Sequence, residues 1–194
     1  MARLTDHTKL ESVKQSAMQL IVQKGYGGAS ISSIARNAKV AEGYLYRFFK
    51  SKEELVSCLL NNRLEDIINR VEGSLQESNS LKELVSFIVQ GIFKIATNSI
   101  TDIKFVYVMM NDYNFRVHAD LQQRIIELLE EAKKRGDYLK QLDTDTGIEE
   151  LFLFTVVYPI QFINLRLKNF LGTKGWKESD IKNVIRICNK TLNN

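Results

Sequence analysis

Apolar residues recur at three- and four-residue spacing along nearly all of a 194-residue chain that holds a single proline, Pro159. That period is the one an α-helix needs to turn an apolar stripe towards a core, and no stretch alternates as a half-buried strand would. Proline removes a backbone donor and clashes with the preceding turn, so its scarcity lets long helices persist. The fold class that follows is all-α. With 44% hydrophobic and 26% charged residues the chain is not disordered. Its length buries a core without metal or disulfide staples.

The first helix is expected over about 9–24, with Leu10, Val13, Ala17, Leu20 and Ile21 on one stripe and Gly25 as its stop. Residues 1–8, polar and without periodicity, are expected to be a mobile arm. Ser30 is placed to cap a second helix through Asn37, and a third covers Ala41 to Phe48. Ser51, with Glu54 three residues on, has capping-box spacing and opens a long fourth helix through Leu55, Leu59, Leu64, Ile67, Ile68, Val71 and Leu75. Further helices are expected over 80–98, 103–111, 120–135, 147–170 and 178–192, about nine in all.

Little in the chain suits catalysis. His7, His118, Cys58 and Cys188 have no metal-ligand spacing, so no metal site is expected. Gly25 to Gly28 and Gly172 to Gly175 lack the remainder of a phosphate loop, and no nucleophile–base pair is evident. The reading is of a non-enzyme without a cofactor. The longest apolar run, Leu151 to Ile163, is broken by Thr155, Pro159 and Gln161 and is read as a buried helix, with no membrane partner. With no secretory leader and no paired cysteines, a cytoplasmic location is expected.

Charge is informative by its placement. The net charge is +4, and all of it falls within residues 1–60, where nine basic side chains face five acidic ones. The same segment has two short helices joined by a tight turn at Asn37-Ala38-Lys39-Val40 and braced by a third, the layout of a helix-turn-helix. Val40, Leu45 and Phe49 can hold the second of these helices rigidly. Its outer side offers Glu42, Gly43, Tyr44 and Arg47, with Phe48 beside them, to base edges. Ser30, Tyr46 and Lys52 flank it as phosphate donors. Double-stranded DNA is therefore the expected partner, although Glu42 also suits the helix dipole and the tyrosines also suit packing.

Gly25-Tyr26, Ser30-Ile31-Ser32-Ser33-Ile34-Ala35, Ala38, Val40, Gly43-Tyr44-Leu45-Tyr46-Arg47-Phe48-Phe49 and Lys50-Ser51-Lys52-Glu53-Glu54-Leu55 closely resemble the TetR family of transcriptional regulators. The likeness covers about residues 9–60; beyond it only length and helical character fit. It implies a homodimeric, cytoplasmic DNA-binding protein, usually a repressor, in which a small molecule bound in the C-terminal domain changes the separation of two reading heads. By position it makes Ser30 a capping phosphate contact and lets Ser32 reach bases. Glu42, Gly43 and Tyr44 begin the reading helix, Tyr46 and Lys52 contact phosphate, and Arg47 lies near both backbone and bases. Three residues depart from the pattern: Lys39 replaces the usual turn Gly, Ala41 the usual capping Ser, and Phe48 a His or Tyr.

The expected organisation is a DNA-binding head over 1–50 and a larger ligand-binding and dimerisation domain over 51–194. Most C-terminal aromatics suit an ordinary core, but Phe105, Met109, Tyr113, Tyr158 and Phe162 could line a cavity for an unidentified small apolar or aromatic effector. Phe154, Ile181, Val184, Ile185 and Cys188 are expected at a two-fold, four-helix dimer interface. The expected function is a ligand-responsive repressor acting on an inverted repeat. The competing reading is a helical small-molecule or lipid-binding protein with a degenerate head.

Overall fold

The computed structural model describes residues 2–77, 80–139, 141–143 and 145–192. Ten α-helices run α1 (Ala2–Gly28), α2 (Ile31–Asn37), α3 (Glu42–Tyr46), α4 (Lys52–Glu77), α5 (Leu81–Asn98), α6 (Ile100–Asn111), α7 (Ala119–Tyr138), α8 (Ile148–Phe152), α9 (Tyr158–Leu167) and α10 (Glu178–Leu192), with a π-helical segment, Leu153–Val157, between α8 and α9. No strand occurs among the described residues. The all-α expectation holds. Residues 2–8 are helical rather than a loose arm: adding turns to an existing helix costs far less than nucleating one, so α1 extends through a polar segment.

The helices divide into two compact units, Met1–Arg63 with Ile100–His118, and Leu64–Ser99 with Ala119–Asn194. In the first, α1 packs along α6 and against α2, and α2 packs on α3. Val13, Met18 and Ile21 meet Ile34, Leu45, Leu55, Leu59, Ile103 and Phe105 in a fully buried core. Gly25 sits at φ 73°, a left-handed conformation that breaks α1 near its end. A side chain there would also crowd the Asp112 carboxylate, so glycine serves twice.

In the second unit, α5 packs against α7, α9, α10 and the π segment. Its buried face of Leu81, Leu84, Val85, Val89, Ile92, Phe93 and Ala96 follows the helical period. Phe93 meets the rings of Phe162 and Trp176 at centroid distances of 6.0 and 5.8 Å. Across from it, Arg124 of α7 grips both Glu72 oxygens of α4, with Nε–Oε1 at 2.6 Å and Nη2–Oε2 at 2.8 Å. That planar, bidentate geometry is the strong form of an ion pair.

The helix expected over 147–170 is divided. Pro159 cannot donate to the carbonyl four residues back, and its ring needs space there. The backbone widens into the π segment just ahead, where Tyr158 N–H donates to the Leu153 carbonyl five residues earlier. Thr155 Oγ1 donates to the Leu151 carbonyl at 2.6 Å within the same stretch. This division raises the helix number from about nine to ten. The segment Ile148–Leu167 is long and apolar enough to cross a membrane by length and composition alone, with a mean hydropathy of 1.3. Within the single chain 28% of that window is buried.

Gly136 of α7 lies so close to Leu142 that a Cβ would stand 2.5 Å from Cδ1 and 2.6 Å from Cγ. Overpacking costs about 1–3 kcal/mol, against about 1 kcal/mol gained in helix propensity. Gly136→Ala should therefore lower the unfolding midpoint in a chemical denaturation series; an unchanged or raised midpoint would show that Leu142 yields freely.

Candidate nucleic-acid interface

The α2–α3 corner is set by local hydrogen bonds. Ser30 Oγ accepts from Ser33 N–H at 3.1 Å while Ser33 Oγ accepts from Ser30 N–H at 3.0 Å, a capping box built from two serines. Ala38 N–H and Val40 N–H reach back to the carbonyls of Ile34 and Ala35. Between them Lys39 takes φ 57°, so the turn keeps its left-handed residue at the modest cost of a non-glycine side chain. Ala41 starts α3 with no side-chain cap. Leu45 and Phe49 are buried beneath α3, and Val40 is half-buried.

On the outer side Ser30, Ser32, Glu42, Gly43, Tyr46 and Arg47 are exposed. A Cβ at Gly43 would meet nothing within 4 Å, so another surface could approach the backbone of α3 there. Tyr44 is half-buried, and its hydroxyl donates to the Asp6 carbonyl at 2.7 Å. Burial, with Asp6 beside it, raises the phenol pKa above its ordinary value and keeps it a donor. The Arg47 guanidinium lies over the rings of Tyr44 and Phe48, 5.6 and 5.5 Å from their centroids, with Nη2 at 3.6 Å from the Asp6 carboxylate. The two rings touch each other, 5.2 Å between centroids, and the guanidinium rests against both while remaining exposed.

Asp6 is the residue that sequence reasoning missed. It fell within the presumed arm, and no apolar period marked that segment as helix.

Lys52 has partners within the chain. It is half-buried, its Nζ donating to the Tyr26 carbonyl at 2.9 Å and lying 4.0 Å from the centre of the Tyr26 ring. Desolvation lowers its pKa, partly offset by Asp112 and Glu53. The reason is steric and polar together: the break at Gly25 turns the Tyr26 peptide towards α4, where Lys52 is the donor in reach. It braces the corner with one of the three donors of its ammonium group.

Asp112 holds the preceding peptide group of the same residue, accepting from Tyr26 N–H at 2.8 Å. The Asn114 backbone N–H lowers the Asp112 pKa most, opposed by desolvation and assisted by Tyr26. A depressed carboxylate pKa contributes stability above the ordinary carboxylate range, lost as pH falls through the lowered value.

The expected effector residues are not gathered within either unit. Phe105 and Met109 are buried on α6 and Tyr113 is fully exposed beyond it, all in the first unit. Tyr158 and Phe162 are half-buried in the second, where the Arg166 guanidinium stands 4.9 Å from the Phe162 centroid. Tyr113 cannot line a cavity in this conformation.

The dimer set divides too. Phe154, Ile181 and Ile185 are half-buried, but Val184 and Cys188 are covered by their own chain, the Cys188 thiol donating to the Phe154 carbonyl at 2.9 Å. Burial pushes that thiol up to about 11. These two face inward because α10 turns its most apolar line onto α5 and the π segment. Leu153, Leu165, Phe170 and Leu171 are instead the exposed apolar residues of this region.

Residues 15–58 match the family model for bacterial regulatory proteins of the tetR family, over the segment whose geometry has just been described. That segment is therefore similar to the DNA-binding head of the tetR-family regulators. The fatty acid metabolism regulator protein of Bacillus subtilis is 29% identical over 87 residues, covering 45% of each chain. The aligned part thus spans about half the length of that curated relative. Among solved structures, a TetR family regulator of Marinobacter aquaeolei VT8 superposes with a TM-score of 0.77 at 15% identity, over 99% of both chains. FadR of Bacillus subtilis in complex with stearoyl-CoA gives 0.62 at 17% identity, over 94% of this chain and 97% of that one. At those identities the likeness is one of fold, and it extends the TetR architecture beyond the matched head.

Lys52→Ala should remove a half-buried charged hydrogen bond worth about 1.5–3 kcal/mol and lower the thermal midpoint. Lys52→Met, which keeps the aliphatic stem over Tyr26, should lower it less. A midpoint unchanged in both variants would return Lys52 to the role of a free surface cation.

Proposed function

We propose that this chain is a ligand-responsive TetR-family repressor that binds an inverted-repeat operator as a dimer in the cytoplasm. The observation that carries the reading is the α3 surface: exposed Glu42, Gly43, Tyr46 and Arg47 on a helix held from below by buried Leu45 and Phe49. Rigid support with an open polar outer side is what major-groove reading requires. Ser30 and Tyr46 supply phosphate contacts, Arg47 bridges backbone and bases, and Glu42, Gly43 and Tyr44, with Ser32 from α2, face the bases. In this reading residues up to about 50 read DNA and the remainder dimerises and senses.

An acyl-chain effector is supported by the relative named for fatty acid metabolism and by the structural neighbour bound to stearoyl-CoA. The half-buried Phe162 beside Phe93, which also meets Trp176, with Tyr158 on the preceding turn, offers apolar surface suited to such a chain. Dimerisation is proposed through α8 to α10, where Leu153 and Leu165 are exposed on a helix otherwise apolar enough to span a membrane.

A second reading, a helical ligand-binding protein with a degenerate head, is favoured by the uncapped Ala41 and by Asp6 occupying Arg47. Selection of bound duplexes from a random library separates the two. Enrichment of an inverted repeat supports the repressor, and no retention at low salt supports the rival.

On the selected operator, Arg47→Ala should weaken binding about tenfold for all sequences and flatten the salt dependence by about one counterion. Tyr44→Ala should instead narrow the gap between operator and scrambled DNA. Uniform weakening by both, measured by fluorescence anisotropy, would remove Tyr44 from base reading.

Leu153→Glu places a charge on the proposed two-fold surface and should convert the dimer to monomer in sedimentation velocity. A dimer that persists would move the interface away from the π segment.

A further inference from the structure

Near the end of α4, the start of α5 and the last turns of α7, a cavity of about 10 Å³ is lined by Ser74, Leu75, Ser80, Leu81, Leu84, Ala132 and Arg135, all within the second unit. Two of these side chains carry buried polar atoms with no hydrogen-bond partner, Ser74 Oγ and Arg135 Nη1. Ser74 is only 9% exposed. A buried hydroxyl or guanidinium nitrogen left unbonded costs free energy, and such orphans are rare in folded proteins. Here both border the same small space.

The space favours one kind of occupant. Arg135 is a permanent cation with donors and no acceptor, and among the described residues no carboxylate pairs with it. Ser74 can donate its hydroxyl hydrogen to whatever Arg135 holds. The first residues of the 18-residue helix α5 also border the cavity, and a helix N-terminus adds positive potential. The rest of the lining is Leu75, Leu81, Leu84 and Ala132, whose low polarity strengthens any charge pairing inside. About 10 Å³ admits one centre of roughly water size.

We propose that Ser74 and Arg135 form a binding site for a single anionic atom, either a halide ion or one oxygen of a carboxylate. The residues of the site all belong to the second unit, and the proposal does not depend on the assignment of the effector. Anion binding would complete the hydrogen bonding of both side chains and fasten the ends of α4, α5 and α7 together.

The test is thermal unfolding of the full chain at constant ionic strength, with sodium methanesulfonate exchanged stepwise for sodium bromide or sodium formate. Binding should raise the midpoint by several degrees once the anion exceeds its Kd about a hundredfold. A rise in bromide alone identifies a halide site, and a rise in formate identifies a carboxylate site. Arg135→Gln should abolish the rise. Ser74→Ala should need severalfold more anion for the same rise, yet melt near the wild type in methanesulfonate, because it deletes an unpartnered hydroxyl. It therefore keeps the test valid if the Arg135 variant does not fold. An equal rise in wild type and variants, or no rise with either anion, overturns the proposal.

Discussion

The first unit depends on how one residue, Tyr26, is held at both of its backbone groups. At Gly25 the left-handed backbone ends the regular run of α1, and the next residue, Tyr26, has its amide bound by Asp112 and its carbonyl by Lys52. Three segments distant in the chain thus meet on two backbone atoms. The Tyr26 ring adds an edge contact to Phe115 at 5.2 Å and the cation contact to Lys52. Each bond alone is of ordinary strength, but they share a residue, so losing one loosens the geometry of the others. The α2–α3 corner follows this anchor along the chain, and its outer side is exposed above the buried Leu45 and Phe49.

Much of this corner is legible from residue types. Ser30 before an apolar helix, Lys39 in a four-residue turn and Leu45 and Phe49 on one side of α3 each have a local physical reason for their placement. Gly25 is legible as a helix stop for the same reason. Lys52 and Asp6 are not, because their partners lie 26 and 38 residues or more from the positions that reveal them. Periodicity tells which side of a helix is apolar, but not which neighbour covers it. The same limit explains Val184 and Cys188: their stripe on α10 is plain in the sequence, and only packing shows that it is satisfied within the chain.

The second unit shows a related limit. Phe105, Met109 and Tyr113 read as one aromatic and methionine cluster with Tyr158 and Phe162, since composition carries no address. Packing assigns the first three to the unit of α1 and α6 and the last two to that of α5 and α9. Arg124 gives the opposite case. Nothing in its flanking sequence selects Glu72 and Glu65 from the other acidic residues, yet it is the most fully paired cation described in this unit.

The π segment has a consequence for phase. An α-helix turns about 100° per residue, so buried positions normally step by three or four. Across Leu153–Val157 the buried line keeps to steps of four, from Leu151 to Thr155, Pro159 and Ile163, without the alternating step of three that holds a regular helix to one face. The widened turn absorbs one additional residue and rotates everything after it relative to everything before it. One continuous rod therefore offers its upstream and downstream halves at different azimuths, as a shaft with a keyed offset would. The lone proline of the chain lies at that offset.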